Sequence, residues 1–221
     1  MREHFKLYGA TGYFVKLDIR KYFPSINHSN LLQKISKLPI DKRTYDLIVK
    51  IVTSYGDGVG LPMGNQSSQC FALFYLDVVD RFIKEQLRVK YYVRYMDDMI
   101  LLLPDKKTAQ QCFTLATEQI EKNLLLVNKK SQIVALKNGI EFLGWRFRLS
   151  KTGKVCQTIR HSSAKRIYEK AKLKSWQLRR VKKANEKVRE VLACYNGHLN
   201  KGNSHNFYNK VVHLFKYKAK R

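Results

Sequence analysis

Apolar residues fall into short continuous runs and into stripes of helical spacing, and the two patterns alternate along the chain. The run YFVKLDI at 13–19 ends its apolar stretch at Asp18, and Pro24 breaks the segment KYFPSIN that follows. A buried strand carrying Asp18 at its end is therefore predicted. A helical stretch follows around 29–55, and the turn-rich GDGVGLPMGN then leads into 66–87, where Phe71, Phe74, Val78 and Phe82 recur at helical spacing. In KYYVRYMDDMILLLP, two β-prone runs flank Asp97 and Asp98, which places the paired carboxylates at the tip of a tight hairpin. A second helix is predicted over 107–125 and a further strand pair in GIEFLGWRFRL. Over 162–195, Ala164, Ile167, Ala171, Leu178, Val181, Val188 and Leu192 recur at threes, fours or their multiples, which predicts one basic helix.

Charge narrows the class of partner. The 221 residues carry 43 Lys and Arg against 17 Asp and Glu, a net charge of +26, which points to a polyanion such as nucleic acid and leaves the chemistry open. The excess is uneven: residues 151–221 hold 20 basic side chains and three acids, Glu169, Glu186 and Glu190. With Gly153 in the polar stretch SKTGK, this asymmetry predicts a boundary near residue 152 between an α/β part and a basic helical part. Four dispersed cysteines without a C-x-x-C pair exclude a zinc ribbon and a disulfide framework, and fit a reducing cytosol. The polar N-terminus and the lack of a long apolar run predict a cytoplasmic protein with no membrane partner.

The acids carry the chemistry. A strand-end Asp18 brought beside the hairpin carboxylates Asp97 and Asp98 would make a hard-oxygen site suited to Mg²⁺, which takes one or two carboxylates plus substrate phosphates. Two such ions ~3.5–4 Å apart could activate a hydroxyl and stabilise a leaving pyrophosphate, with Mn²⁺ as a substitute. An Asp-Asp pair at a solvated turn is the plain alternative.

On these residues the sequence resembles the reverse transcriptases. YMDD at Tyr95 to Asp98 is similar to their signature hairpin, and LDIRKYFPSINH from Leu17 resembles their first aspartate motif. GLPMGNQSSQ from Gly60 resembles the segment backing the nascent base pair, NKKS from Asn128 the lysine motif, and EFLGWRF from Glu141 the primer grip. Five motifs in family order are far more specific than the tetrapeptide alone.

The resemblance implies an α+β right-hand polymerase, with a palm over 1–152 whose antiparallel sheet is packed with helices, and a basic helical thumb over 153–221. It implies RNA-directed DNA synthesis on an RNA template with a DNA or RNA primer and deoxynucleoside triphosphates. Asp18, Asp97 and Asp98 would hold the metals, with Asp18 and Asp97 as the direct ligands, and Lys130 or the adjacent Lys129 would protonate pyrophosphate or contact phosphate. The nucleotide site would comprise Ile19, Phe23, Met63, Gly64, Asn65 and Gln69. Phe23 would be a steric gate against the 2′-hydroxyl, or else a core aromatic; Gly64 and Asn65 would admit close backbone approach, or simply begin a helix. Phe142, Leu143, Gly144 and Trp145 would form the primer grip. Lys165, Lys172, Arg179, Arg180 and Lys183 would face the template–primer duplex, or form a solvated basic face.

The form MGNxxSQ, with Met63 before the glycine, resembles diversity-generating retroelements, whose enzymes copy with errors at template adenines. Only 17 residues precede Asp18, where relatives carry a longer fingers region, so a missing fingers segment or an accessory protein is an expected partner. Two other functions stay open: a non-catalytic RNA-binding remnant and a defence-associated polymerase.

Overall fold

The computed structural model describes residues 1–8, 10–150, 152–178, 184–200 and 202–215. In chain order they form α1 (Arg2–Tyr8), β1 (Tyr13–Asp18), α2 (Tyr22–Ser25), α3 (His28–Ile35), α4 (Lys42–Thr53), α5 (Gln66–Tyr75) and α6 (Asp77–Arg81). A π-helical turn (Phe82–Gln86) leads to β2 (Tyr91–Tyr95), β3 (Asp98–Leu103), α7 (Lys106–Lys122) and β4 (Gln132–Ala135). After a 3₁₀ turn (Leu136–Asn138) come β5 (Ile140–Phe142), β6 (Trp145–Leu149), β7 (Val155–Ile159), α8 (His161–Leu178), α9 (Ala184–Leu199) and α10 (His205–Phe215). These elements divide into two compact units, Thr11–Ala135 and Met1–Ala10 with Leu136–Arg221.

The central unit is an antiparallel four-stranded sheet, ordered β2-β3-β1-β4, with helices on one face. Val15, Leu17, Met99 and Leu101 on that face pack with Ala72, Ala116 and Ile120 into one buried cluster. The helices start where the sequence supplies caps: Asn27, Asp41 and Asp105 accept from the backbone N–H groups of Asn30, Thr44 and Thr108. The stretch expected to be helical over 29–55 is two helices, because the Leu38-Pro39 pair disfavours continuation. The 66–87 stripe is likewise broken at Leu76, between α5 and α6.

The other unit holds an antiparallel sheet ordered β5-β6-β7 and the helices α8, α9 and α10. Ala171, Leu178, Val211 and Phe215 form its helical core, with Ile167, Val188 and Leu192 packed against them. The single helix expected over 162–195 is therefore two, α8 and α9, whose apolar stripes meet each other instead of forming one line. The edge of β7 is paired by a loop: the Asn203 N–H donates to the Gln157 carbonyl at 2.6 Å, and the Ile159 N–H to Ser204 Oγ at 3.3 Å.

Gly153, expected to mark the boundary, sits in the turn between β6 and β7 inside this unit, with the Phe5 ring 2.2 Å from where a Cβ would stand. The division falls at Leu136, because charge composition follows the exposed helix surfaces whereas a unit is set by which apolar faces pack together. All four cysteines are free thiols. Among the described residues no helix is long and apolar enough to cross a membrane.

Candidate active site

Asp18 closes β1 and Asp98 opens β3, and the two are direct register partners; Tyr95 at the end of β2 faces Asp98 from the other side. Residues directly opposite across antiparallel strands share a face. Tyr95, Asp98 and Asp18 therefore form a row across three strand ends, on the face opposite Leu17 and Met99, both fully buried. Lys16, two residues before Asp18 and so on the same face, brings its Nζ to 3.7 Å from Asp98 Oδ1.

Asp97 occupies the two-residue turn between β2 and β3. Met96, the first central residue of that turn, has φ 53°, a conformation glycine normally supplies. The side chain makes this left-handed position cost ~1–2 kcal/mol, which the surrounding structure must offset.

The 128–131 segment runs beside Asp18 and holds its backbone. The Asp18 N–H donates to Ser131 Oγ at 3.0 Å, and its carbonyl accepts from the Asn128 N–H at 2.7 Å. Burial pushes the Asp18 carboxyl up from the ordinary carboxylate range and the Asp98 charge adds to this, while Lys16, Lys130 and an Asn128 hydrogen bond pull it back. Burial likewise raises Asp97; a backbone hydrogen bond opposes the shift, and the charges of Asp18 and Asp98 reinforce it. Asp18, Asp97, Asp98 and Lys130 are thus one electrostatic group, and of the two neighbouring lysines it is Lys130 whose charge Asp18 feels.

The remaining expected residues divide. Ile19 is 2% exposed, with its side chain in the core and its backbone bridged to Val127. Phe23, on α2, is half-buried and packs edge-on to Tyr22, with ring centroids 5.8 Å apart. Met63 is 78% exposed. Gly64 at φ 98° has open space around it, and Asn65 precedes α5 without capping it by its side chain. Gln69 is exposed on the first turns of the same helix, so Met63, Gly64, Asn65 and Gln69 gather on one open loop and helix start.

Phe142, Leu143, Gly144 and Trp145 form the β5–β6 hairpin in the other unit, with Leu143 at φ 49° and Gly144 at φ 83° as a type I′ turn requires. The Trp145 ring lies 5.7 Å from that of His198. Lys165 and Lys172 are exposed on α8 at a spacing that puts them on one face. Arg179, Arg180 and Lys183 lie outside the described residues.

Sequence reasoning assigned no separate role to Lys16, Asn128 or Ser131. Lys16 was signalled by strand alternation. Asn128 and Ser131 hold the backbone N–H and carbonyl of Asp18, which no side-chain pattern reports.

Among the described residues no three His, Cys, Asp or Glu side chains stand close enough to enclose a metal ion unaided. The donors present fit an ion of the Mg²⁺ type instead, which is held by few carboxylates and completes its shell with water and phosphate. Burial raises Asp18 and Asp97, and the neighbouring carboxylate charges add to it, so the three acids sit where a cation would be welcome.

Residues 2–147 match the family model for reverse transcriptase (RNA-dependent DNA polymerase). The chain belongs to the reverse transcriptase family. It is similar to the COX1/OXI3 intron 1 protein of Saccharomyces cerevisiae, 22% identical over an alignment of 92 positions that covers 38% of this chain and 11% of the relative. In fold it is similar to apo telomerase from Candida tropicalis truncated from its C-terminal domain, with a TM-score of 0.52 at 16% identity over 69% of this chain and 37% of that one. Telomerase from Candida albicans, in complex with a fragment of telomeric RNA, gives a TM-score of 0.54 at 14% identity over 100% of this chain and 43% of that one. This reverse transcriptase chain therefore spans less than half the length of each of these proteins.

Proposed function

We propose that this chain carries the catalytic centre of an RNA-directed DNA polymerase, with residues 11–135 as its palm and the C-terminal helices as its thumb. The observation that carries this reading is the cross-strand pairing of Asp18 with Asp98 at a half-buried sheet end, with Asp97 in the adjoining turn. Asp18 and Asp97 would hold two divalent ions, Mg²⁺ or Mn²⁺, with Asp98 beside them. Bound there, the ions would supply charge neutralisation for the attacking hydroxyl and the leaving pyrophosphate.

The chain's own residues do the rest. Asn128 and Ser131 fix the backbone of Asp18, and Lys16 balances Asp98. Lys130, whose charge acts on Asp18, would hold a phosphate or deliver a proton to it. The open loop at Met63 to Asn65 would seat the incoming deoxynucleoside triphosphate, and the half-buried Phe23 ring would exclude a 2′-hydroxyl by contact. Lys165 and Lys172 would meet template–primer phosphates without reading sequence. The exposed, apolar Met63 offers no strong hydrogen bond to police base geometry, which supports low-fidelity copying in the manner of diversity-generating retroelements.

Primer extension on an RNA template with Mg²⁺ and all four deoxynucleotides tests the reading. Extension should fall by ~10²–10³-fold in Asp97→Ala, the scale of losing one transition-state charge partner. Extension by the Asp97→Ala protein at the wild-type rate, or none by either protein, counts against it; errors at template adenines in the sequenced product favour the retroelement branch.

A further inference from the structure

The turn that carries Asp97 is held from the core side by a single guanidinium. Arg94 is the register partner of Met99, so it leaves β2 on the face opposite Tyr95 and Asp98, where its side chain is only 11% exposed. Its Nε donates to Asp80 Oδ1 at 2.8 Å and Oδ2 at 3.0 Å, and its Nη2 also reaches Oδ2. The Tyr92 hydroxyl donates to the same carboxylate, completing a half-buried cluster between β2 and α6. Two further bonds leave the cluster: Nη1 donates to the Met96 carbonyl at 3.1 Å, and Nη2 to the Leu73 carbonyl at 3.3 Å.

A buried ion pair is by itself weak evidence of anything but folding. Here the guanidinium has spare donors in a rigid planar fork, and one of them is spent on the carbonyl of the residue held at φ 53°. That bond opposes relaxation of the left-handed Met96 and so fixes where the next residue, Asp97, points. The Leu73 carbonyl belongs to α5, the helix that begins at the open Met63 to Asn65 loop, so the same side chain ties that helix to the turn.

We propose that Arg94, locked by Asp80, is a positioning residue that sets the Asp97 carboxylate against Asp18 and couples the Asp97 turn to helix α5. The catalytic part of this inference rests on the function proposed above; the positioning part does not.

Two measurements test it. In the first, amide hydrogen exchange is followed in the protein alone for Arg94→Lys and for the charge-free Arg94→Met/Asp80→Leu/Tyr92→Phe. Apolar replacement of a whole buried cluster usually preserves folding, which keeps the second variant informative if the first is unstable. Exchange should rise several-fold in segment 95–99 while segments 13–18 and 106–122 keep wild-type protection. Unchanged exchange at the turn, or an equal rise everywhere, overturns the proposal.

In the second, primer extension is measured against nucleotide and Mg²⁺ concentration. The charge-free variant should keep the wild-type Tm and nucleotide KM while kcat falls about 10- to 100-fold, the scale of a misplaced catalytic group. Its Mg²⁺ half-saturation should rise, and Arg94→Lys should restore only part of kcat. Wild-type kcat and Mg²⁺ dependence in that variant overturn the catalytic role. Should the wild-type protein itself not extend primers while the turn loosens as expected, the functional reading fails and the positioning role stands on exchange.

Discussion

Asp18 and Asp98 face each other across adjacent antiparallel strands, the last residue of β1 opposite the first of β3, at the end of the sheet where apolar cover stops. Like charges at directly opposed positions destabilise a sheet, and Lys16, 3.7 Å from Asp98, offsets part of that cost.

Neutralising the half-buried Asp97, which burial and then the charges of Asp18 and Asp98 disfavour in its ionised form, should stabilise the metal-free protein. Asp18 and Asp97 are both raised by burial first, so between the ordinary carboxylate value and the raised one the folded state binds more protons than the unfolded. Stability therefore falls as pH rises through that window, and the full cost is present at neutral pH. Asp97→Asn should raise Tm at pH 7 without metal and lower extension on the scale given for Asp97→Ala. Solvent screening keeps the gain modest, roughly 2–4 °C, which is what ~1 kcal/mol does in a chain of this length. A lower Tm for Asp97→Asn would show that the ionised carboxylate does not destabilise the fold.

Lys34 should make stability pH-dependent in the alkaline range. Its Nζ donates to the Tyr75 carbonyl at 2.9 Å and to Asn123 Oδ1 at 2.7 Å, over the Tyr75 ring, and burial lowers it to about 8. The unfolded state therefore binds more protons between about 8 and the ordinary lysine value, and stability contributed by this group rises with pH across that window. Denaturant melts from pH 7 to 10.5 should show this rise in wild type and a flatter profile in Lys34→Met. Parallel profiles would remove Lys34 as its source.

Two glycines share a left-handed conformation and differ in their surroundings. A Cβ at Gly139 (φ 71°) would stand 2.5 Å from the Phe147 carbonyl oxygen, whereas one at Gly58 (φ 75°) would meet nothing within 4 Å. Both alanine variants carry the conformational cost of ~1–2 kcal/mol, and only Gly139→Ala adds a backbone clash of about 1–3 kcal/mol. Chemical denaturation should rank Gly139→Ala well below Gly58→Ala, and equal midpoints would show that the β5–β6 sheet yields to the clash.

Phe23 is half-buried, so trimming it leaves a partly supported ring site with its edge-on partner Tyr22 in place. Phe23→Val should reduce discrimination against ribonucleotides by roughly 10–200-fold, the range a pocket contact of this size provides. Single-nucleotide incorporation with paired ribo- and deoxynucleotides measures it. Unchanged discrimination would return Phe23 to a packing role.

The sequence by itself determined the elements that depend on local spacing. The run ending at Asp18, the hairpin carrying Asp97 and Asp98, and the strand pair around Gly144 follow from periodicity and turn chemistry, and the helix expected over 107–125 stands at 106–122, ending before the left-handed Leu124. The motif order also gave the family, because short functional segments keep their residue types. Packing partners were not legible in this way. The stripe over 162–195 looks the same whether it lies along one helix or folds back as two, and only the meeting of Ile167 and Ala171 with Val188 and Leu192 decides it. The break between the units followed the packing of apolar faces and ignored the charge step at 152. At the site, Asp18 and Asp98 are 80 positions apart, and only the β1–β3 register makes them neighbours. The bonds from Ser131 to Asp18 and from Arg94 to Met96 end on backbone atoms, which every residue possesses, so only the tertiary structure decides which ones are held.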